Sequence, residues 1–170
     1  MAVTYKLIQN QTLTGTQATV TFSSIPQTYT DLVLLVSGRT DRASVLDDCK
    51  ITLNGVTTNM TLRAISGTGA TVGSASDTLI YASINGNNAT ASAFGLASFY
   101  FTNYTSTTVA KVVSAEGISE TNGTTAYQYI NSGLWNPGTQ AAITSISCTS
   151  YNAANFLQYS SFSLYGIVKS

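Results

Sequence analysis

The chain of 170 residues contains no histidine. That removes the commonest general base at neutral pH, the usual partner of a serine or cysteine nucleophile, and the commonest zinc ligand. Carboxylates remain, because a pair of them can hydrolyse a glycosidic bond. The candidates are Asp41, Asp47 and Asp48. Adjacent aspartates in a polar connection read as solvated loop groups, and the mixed cluster Arg39, Asp41 and Arg42 reads as local ion pairs. The same aspartates lack the spacing of a calcium-binding loop. The run from Gly67 to Gly73 has the glycine content of a phosphate cradle, but no lysine and no helix follow it, so it reads as a mobile or turn-forming loop. No catalytic, cofactor or metal-binding residue is assigned, and the chain reads as a non-enzyme.

Two cysteines, Cys49 and Cys148, have the types and number for one disulfide. In a reducing compartment such residues serve more often as small buried apolar groups, and they are read that way here. The single tryptophan, Trp135, ends an apolar stretch, where packing over a sheet edge competes with stacking on a sugar ring; packing is favoured. In the alternating string from Phe99 to Tyr104, Phe99 and Phe101 point to the core. Tyr100 and Tyr104 are expected to face outward, where an amphipathic ring suits a protein interface or a glycan.

Only 8% of the residues are charged, against 44% hydrophobic, and the formal net charge is zero. Ten tyrosines and six phenylalanines place the chain among folding sequences, not disordered ones. Zero net charge gives up colloidal repulsion, which suits a chain destined for an assembly. The basic residues Lys6, Arg39, Arg42, Lys50, Arg63, Lys111 and Lys169 are scattered, so no stripe forms to neutralise phosphates and nucleic acid is set aside as a partner. The first residues lack the basic and apolar regions of an export signal, and no apolar run approaches about 18 residues. The expectation is a soluble protein made in a cytoplasm, with no membrane partner.

The elements that must carry these residues are strands. Ala18, Val20 and Phe22 alternate onto one face, and the apolar run 31–37 reads as a strand buried on both faces. Further strands are expected over residues 3–7, 50–53, 60–65, 79–84, 93–101, 111–118, 127–135, 143–148 and 159–168. Turn signals separate them, the strongest being Asn54-Gly55. Residues 41–48 are the one segment with the composition for a turn or two of helix. The whole chain, 1–170, is read as a single all-β domain: a two-sheet antiparallel sandwich of jelly-roll type, with little or no helix, and a closed barrel as the competing arrangement.

Four stretches carry a resemblance. They are residues 22–34, where Ile25-Pro26 turns the chain into the buried strand; Gly133-Leu134-Trp135-Asn136; Ala142-Ile143-Thr144-Ser145-Ile146; and residues 156–167, with Phe162 and Leu164 on one face. Together they resemble small β-rich virion proteins of tailed bacteriophages, especially of cyanophage and marine phage types. The likeness covers the first and last forty residues and leaves residues 42–131 as the variable part. It implies a capsid decoration, or cement, protein on the outer surface of the head, made in the host cytoplasm. Its partners would be the major capsid protein and further copies of itself, with a trimer favoured. The alternative is a tail or fibre module that binds a receptor, with a host-surface glycan as partner. Interface candidates are Ala2, Val3, Thr4, Tyr5, Lys6, Tyr100 and Tyr104.

Overall fold

The structure is a computed structural model that describes residues 3–123 and 126–169. Twelve strands are present among the described residues: β1 (Val3–Thr12), β2 (Thr19–Phe22), β3 (Asp31–Gly38), β4 (Leu46–Leu53), β5 (Met60–Gly67), β6 (Val72–Asp77), β7 (Ile80–Asn85), β8 (Gly95–Phe101), β9 (Lys111–Ser119), β10 (Tyr127–Trp135), β11 (Ile146–Ser150) and β12 (Ser161–Lys169). They form two antiparallel sheets, one of eight strands in the order β1-β12-β3-β8-β9-β10-β5-β6 and one of four in the order β2-β11-β4-β7.

Setting aside β5, β6, β9 and β10 leaves β1-β12-β3-β8 facing β2-β11-β4-β7. The chain passes between these sheets at every step except from β4 to its neighbour β7, which is the doubly wound Greek key of a jelly roll. The expected sandwich is therefore what forms. The hairpins β5–β6 and β9–β10 are additions that widen one sheet from four strands to eight.

Alternation explains the core. Leu32, Leu34 and Val36 of β3, Phe99 and Phe101 of β8, and Phe162 and Leu164 of β12 turn inward and meet Val20, Phe22, Ile51, Leu53, Ile146 and Cys148 of the small sheet, all fully buried. Trp135 lies in this core as well, and the two cysteines are free and buried. The Asn54-Gly55 signal gives a tight turn with φ values of 51° and 76°. The Asn54 side chain then binds residues 142–145: Nδ2 donates to the Ala142 carbonyl at 2.7 Å, and Oδ1 accepts from the Thr144 amide at 2.8 Å.

Two local readings are corrected. Residues 41–48 form no helix. The chain bends there and β4 starts at Leu46, because Asp47 takes an inward position of the strand and hid its alternation. The run from Gly67 to Gly73 makes the turn that its glycines signal, but it is not loop throughout: strand β6 already starts within it at Val72. The Thr68 amide donates to the Thr71 carbonyl at 3.0 Å, and Gly69 at the bend has φ 82°. Strand β6 lacked any apolar alternation because none of its side chains enters the core.

The sheets come closest at β7, all six of whose residues are buried. It lies against the inner face of β8, β9 and β10 with its backbone nearly touching theirs. A Cβ on Gly95 would come 2.7 Å from the Asn85 nitrogen, and one on Gly117 would overlap the Ser83 backbone nitrogen. Asn131 of β10 donates to the Tyr81 carbonyl at 2.7 Å across the same gap. Gly117→Ala is therefore expected to cost at least about 2 kcal/mol in chemical denaturation. Gly15→Ala, where nothing lies within 4 Å, should shift stability by no more than about 0.5 kcal/mol.

Candidate interaction face

The aspartates weighed for chemistry are structural. Asp47 is fully buried. Its Oδ2 accepts from Thr40 and Ser150 hydroxyls, both at 2.7 Å, and its Oδ1 accepts from Asn152 Nδ2 and the Asp48 amide, both at 2.8 Å. Asp41 accepts from the Asn155 amide at 2.8 Å and side chain at 2.9 Å, which hold its carboxyl below the ordinary value. Among the described residues no ion pair joins Arg39, Asp41 and Arg42 as expected; Arg42 lies 3.8 Å from Asp47. Arg39 is buried and donates instead to the carbonyls of Asn87, Ala89, Thr90 and Ala93 at 2.6–3.0 Å, tying down the loop after β7. A guanidinium fork reaches several carbonyls at once, which the sequence spacing did not reveal.

Among the described residues, no group of three or more acidic, cysteine or histidine side chains is placed to hold a metal ion. The surface hollows are shallow. One of about 280 Å³ lies beside Gly67, Ile118 and Tyr127, and one of about 310 Å³ beside Lys50 and Tyr151.

The feature with the right dimensions for function is the outer face of the eight-stranded sheet. Fourteen large apolar side chains are exposed among the described residues, and ten stand on this one face: Tyr5, Leu7, Leu35, Ile65, Val72, Leu96, Val112, Ile118, Ile130 and Leu134. Register stacks several into directly opposed pairs: Leu96 with Ile118, Val112 with Leu134, and Ile130 with Ile65. Ile130 is 54% exposed and Ile65 59%. Strands face water on one side in most antiparallel sheets and show polar residues there; here β5, β8, β9 and β10 show apolar residues on both sides. Between them stand Ser98, Ser114 and Ser132, and the charged groups among the described side chains of this face are Glu116, Arg63 and Asp31. Eight strands about 4.8 Å apart and about six residues long present a face of roughly 700 Å².

The sequence candidates divide around this face. Tyr5 and Tyr100 stand on it. Tyr5 is exposed and packs edge-on to Tyr165 with ring centres 6.4 Å apart. Tyr100 is half-buried and donates to Asp31 Oδ2 at 2.7 Å; burial and that carboxylate push its phenol up to about 12. Asp31 Oδ1 also accepts from the Asn103 amide at 2.9 Å. Thr4 and Lys6 are exposed on the edge strand β1, Val3 begins that strand, and Ala2 lies outside the described residues.

Tyr104 is a correction. It is not outward but fully buried, and its hydroxyl donates to the Pro26 carbonyl and accepts from the Tyr29 amide at 3.3 Å. It follows the end of β8, where the strand alternation that placed it outward no longer applies. The apolar stripe itself was missed because strands with apolar residues on both faces read simply as buried.

Comparison with known protein families, with curated proteins and with solved structures finds no match.

Two predictions follow from the buried polar groups. Tyr104→Phe should cost about 1–2 kcal/mol in denaturant melts, the cost of leaving the Pro26 and Tyr29 backbone groups unpaired. Asp48, beside Asp47 and accepting from Ser83 Oγ at 2.9 Å, has its carboxyl pushed up to about 6, chiefly by burial. The unfolded chain therefore releases this proton first, so the Asp48 contribution is fully present below about pH 4. It is lost as pH rises through 6, by about 3 kcal/mol. Asp48→Asn should flatten this dependence and exceed the parent in stability above pH 6, read from urea midpoints across that range.

Proposed function

We propose that this chain is a capsid decoration protein of a tailed bacteriophage, a cement that binds the outside of the head and strengthens contacts between major capsid subunits. The observation that carries the reading is the broad, charge-poor apolar face on one side of the jelly roll. A monomer in water rarely shows a contiguous apolar patch of more than a few hundred Å² unless the patch is used. The whole face, with the serines, Glu116 and Arg63 that stand among its apolar side chains, has an extent approaching the roughly 800 Å² that each partner buries in a standard interface. The resemblance of residues 22–34, 133–136, 142–146 and 156–167 to small virion proteins of tailed phages supports the same reading; the first and last of these stretches contribute to jelly-roll strands β2, β3 and β12, and the second belongs to the added strand β10.

The mechanism is burial repeated over a lattice. Each docked copy removes apolar surface from water only when shell subunits are assembled around it, so binding favours the assembled shell over its separated parts. Many equivalent contacts then resist internal pressure together. No bond is made or broken, and the role assigned to the chain is structural. Its place is the outer surface of the virion head.

The experiment is co-sedimentation with heads assembled without the chain. The parent protein should pellet with the shells. Ile65→Lys/Ile130→Lys should lower the bound fraction at least tenfold with little change in melting temperature, since both side chains already lie largely in water. Equal pelleting by the variant overturns the assignment of this face. A parent protein that stays in the supernatant but binds host cells overturns the cement role and favours receptor binding.

A further inference from the structure

Each sheet ends in edge strands, whose outward amides and carbonyls invite another chain to pair. Three of the four edges in this fold are defended, each differently. On β2, the Gln11 side chain donates to the Thr21 carbonyl at 2.9 Å and that of Gln17 to the Thr19 carbonyl at 2.5 Å. On β1, the register slips between Leu7 and Gln9, and Lys6 stands in the exposed part of the strand. Strand β7 is buried under the large sheet, with its Tyr81 and Asn85 carbonyls taken by Asn131 and Thr40.

Strand β6 has none of these defences. It pairs with β5 in unbroken register from Leu62↔Asp77 to Gly67↔Val72. Its other side carries no bulge, proline or lysine, and no side-chain hydrogen bond among the described residues occupies a backbone group of Val72–Ser76. It also buries almost nothing: five of its six residues are exposed, Val72 by 83%. Apart from the Tyr151 hydroxyl, which donates to Asp77 Oδ2 at 2.9 Å, β6 is held by its ladder to β5 at the edge of the eight-stranded sheet, and a strand with so few buried apolar contacts opens easily. A second ladder would complete it.

We infer that β6 is a self-association edge, which pairs antiparallel with β6 of a second copy across a two-fold axis near Ser74 and Ala75. A two-fold brings the same strand against itself, and that pairing is necessarily antiparallel. The alternation of sides permits two registers, one with Ser74 and one with Ala75 on the axis. In both, the single charge of the strand, Asp77, meets an uncharged residue of the second copy and not its own equivalent, so no like charges oppose. The union continues one large sheet into the next, with Ser74 and Ser76 of the outer face at the junction and Val72 diagonal to Ile65 beside it. A ring built from β6 on β1 is disfavoured by the register slip and lysine on β1. The inference stands on the edge geometry and does not depend on the shell-binding reading.

Two measurements test it together. The first is mass by sedimentation velocity. The parent should be a dimer, and Ser74→Lys/Ser76→Lys should halve the mass. In either register that pair sets lysines directly opposite one another, and since both sites are exposed the melting temperature should not move. The second is cross-linking. Facing Cα atoms in an antiparallel pair lie about 4.5–5.5 Å apart, within disulfide reach, and the native cysteines are buried. On mild oxidation either Ser74→Cys or Ala75→Cys should form a covalent dimer, while Thr21→Cys on the defended β2 edge should not. A monomeric or trimeric parent overturns the inference. So does a dimer whose mass is unchanged by the lysines, or one in which neither β6 cysteine cross-links.

Discussion

The closest constraint in the molecule is the approach of β7 to the inner face of β8, β9 and β10. Two sheets packed through side chains ordinarily stand about 10 Å apart, but here the backbones meet at Gly95 and Gly117 and leave no room for a Cβ. This contact fixes the added hairpin β9–β10 onto the jelly roll, and β10 in turn holds β5 and β6 through its ladder. The sheet is thus extended to eight strands without a matching extension of the small sheet beneath it. The outer apolar face and the bare edge at β6 both follow from that extension.

Polar groups pin the connections around this framework. Arg39 gathers four loop carbonyls, Asp47 organises Thr40, Ser150 and Asn152, Tyr104 holds Pro26, and Asn54 holds residues 142–145. Each serves backbone or neighbouring side chains inside the domain. These contacts hold the loops at the ends of the sandwich in fixed positions relative to the two sheets.

Much of this was legible in the residues. Alternation at Val20 and Phe22 and the double-sided apolar run of β3 gave the sandwich, and Asn54-Gly55 gave its turn. The failures have physical causes. Asp47 faces inward because four hydrogen-bond donors and Arg42 surround it, contacts that come from residues as distant as Asn152. Strand β6 is held chiefly by its pairing with β5, so no periodicity announces it. Tyr104 turns inward because the chain leaves β8 before reaching it. The outer face was illegible for a different reason: Ile118, Ile130 and Leu134 look like core until the small sheet is seen to cover only one side.

The account turns on which side of the large sheet's exposed surface meets other molecules. A reconstruction of a particle that carries the chain measures this directly. The prediction is density for the domain on the outside of the head, with Ile65, Leu96, Ile118 and Ile130 against shell subunits. A domain lodged at the tail tip, or one docked through the small sheet with those side chains open to solvent, would contradict it.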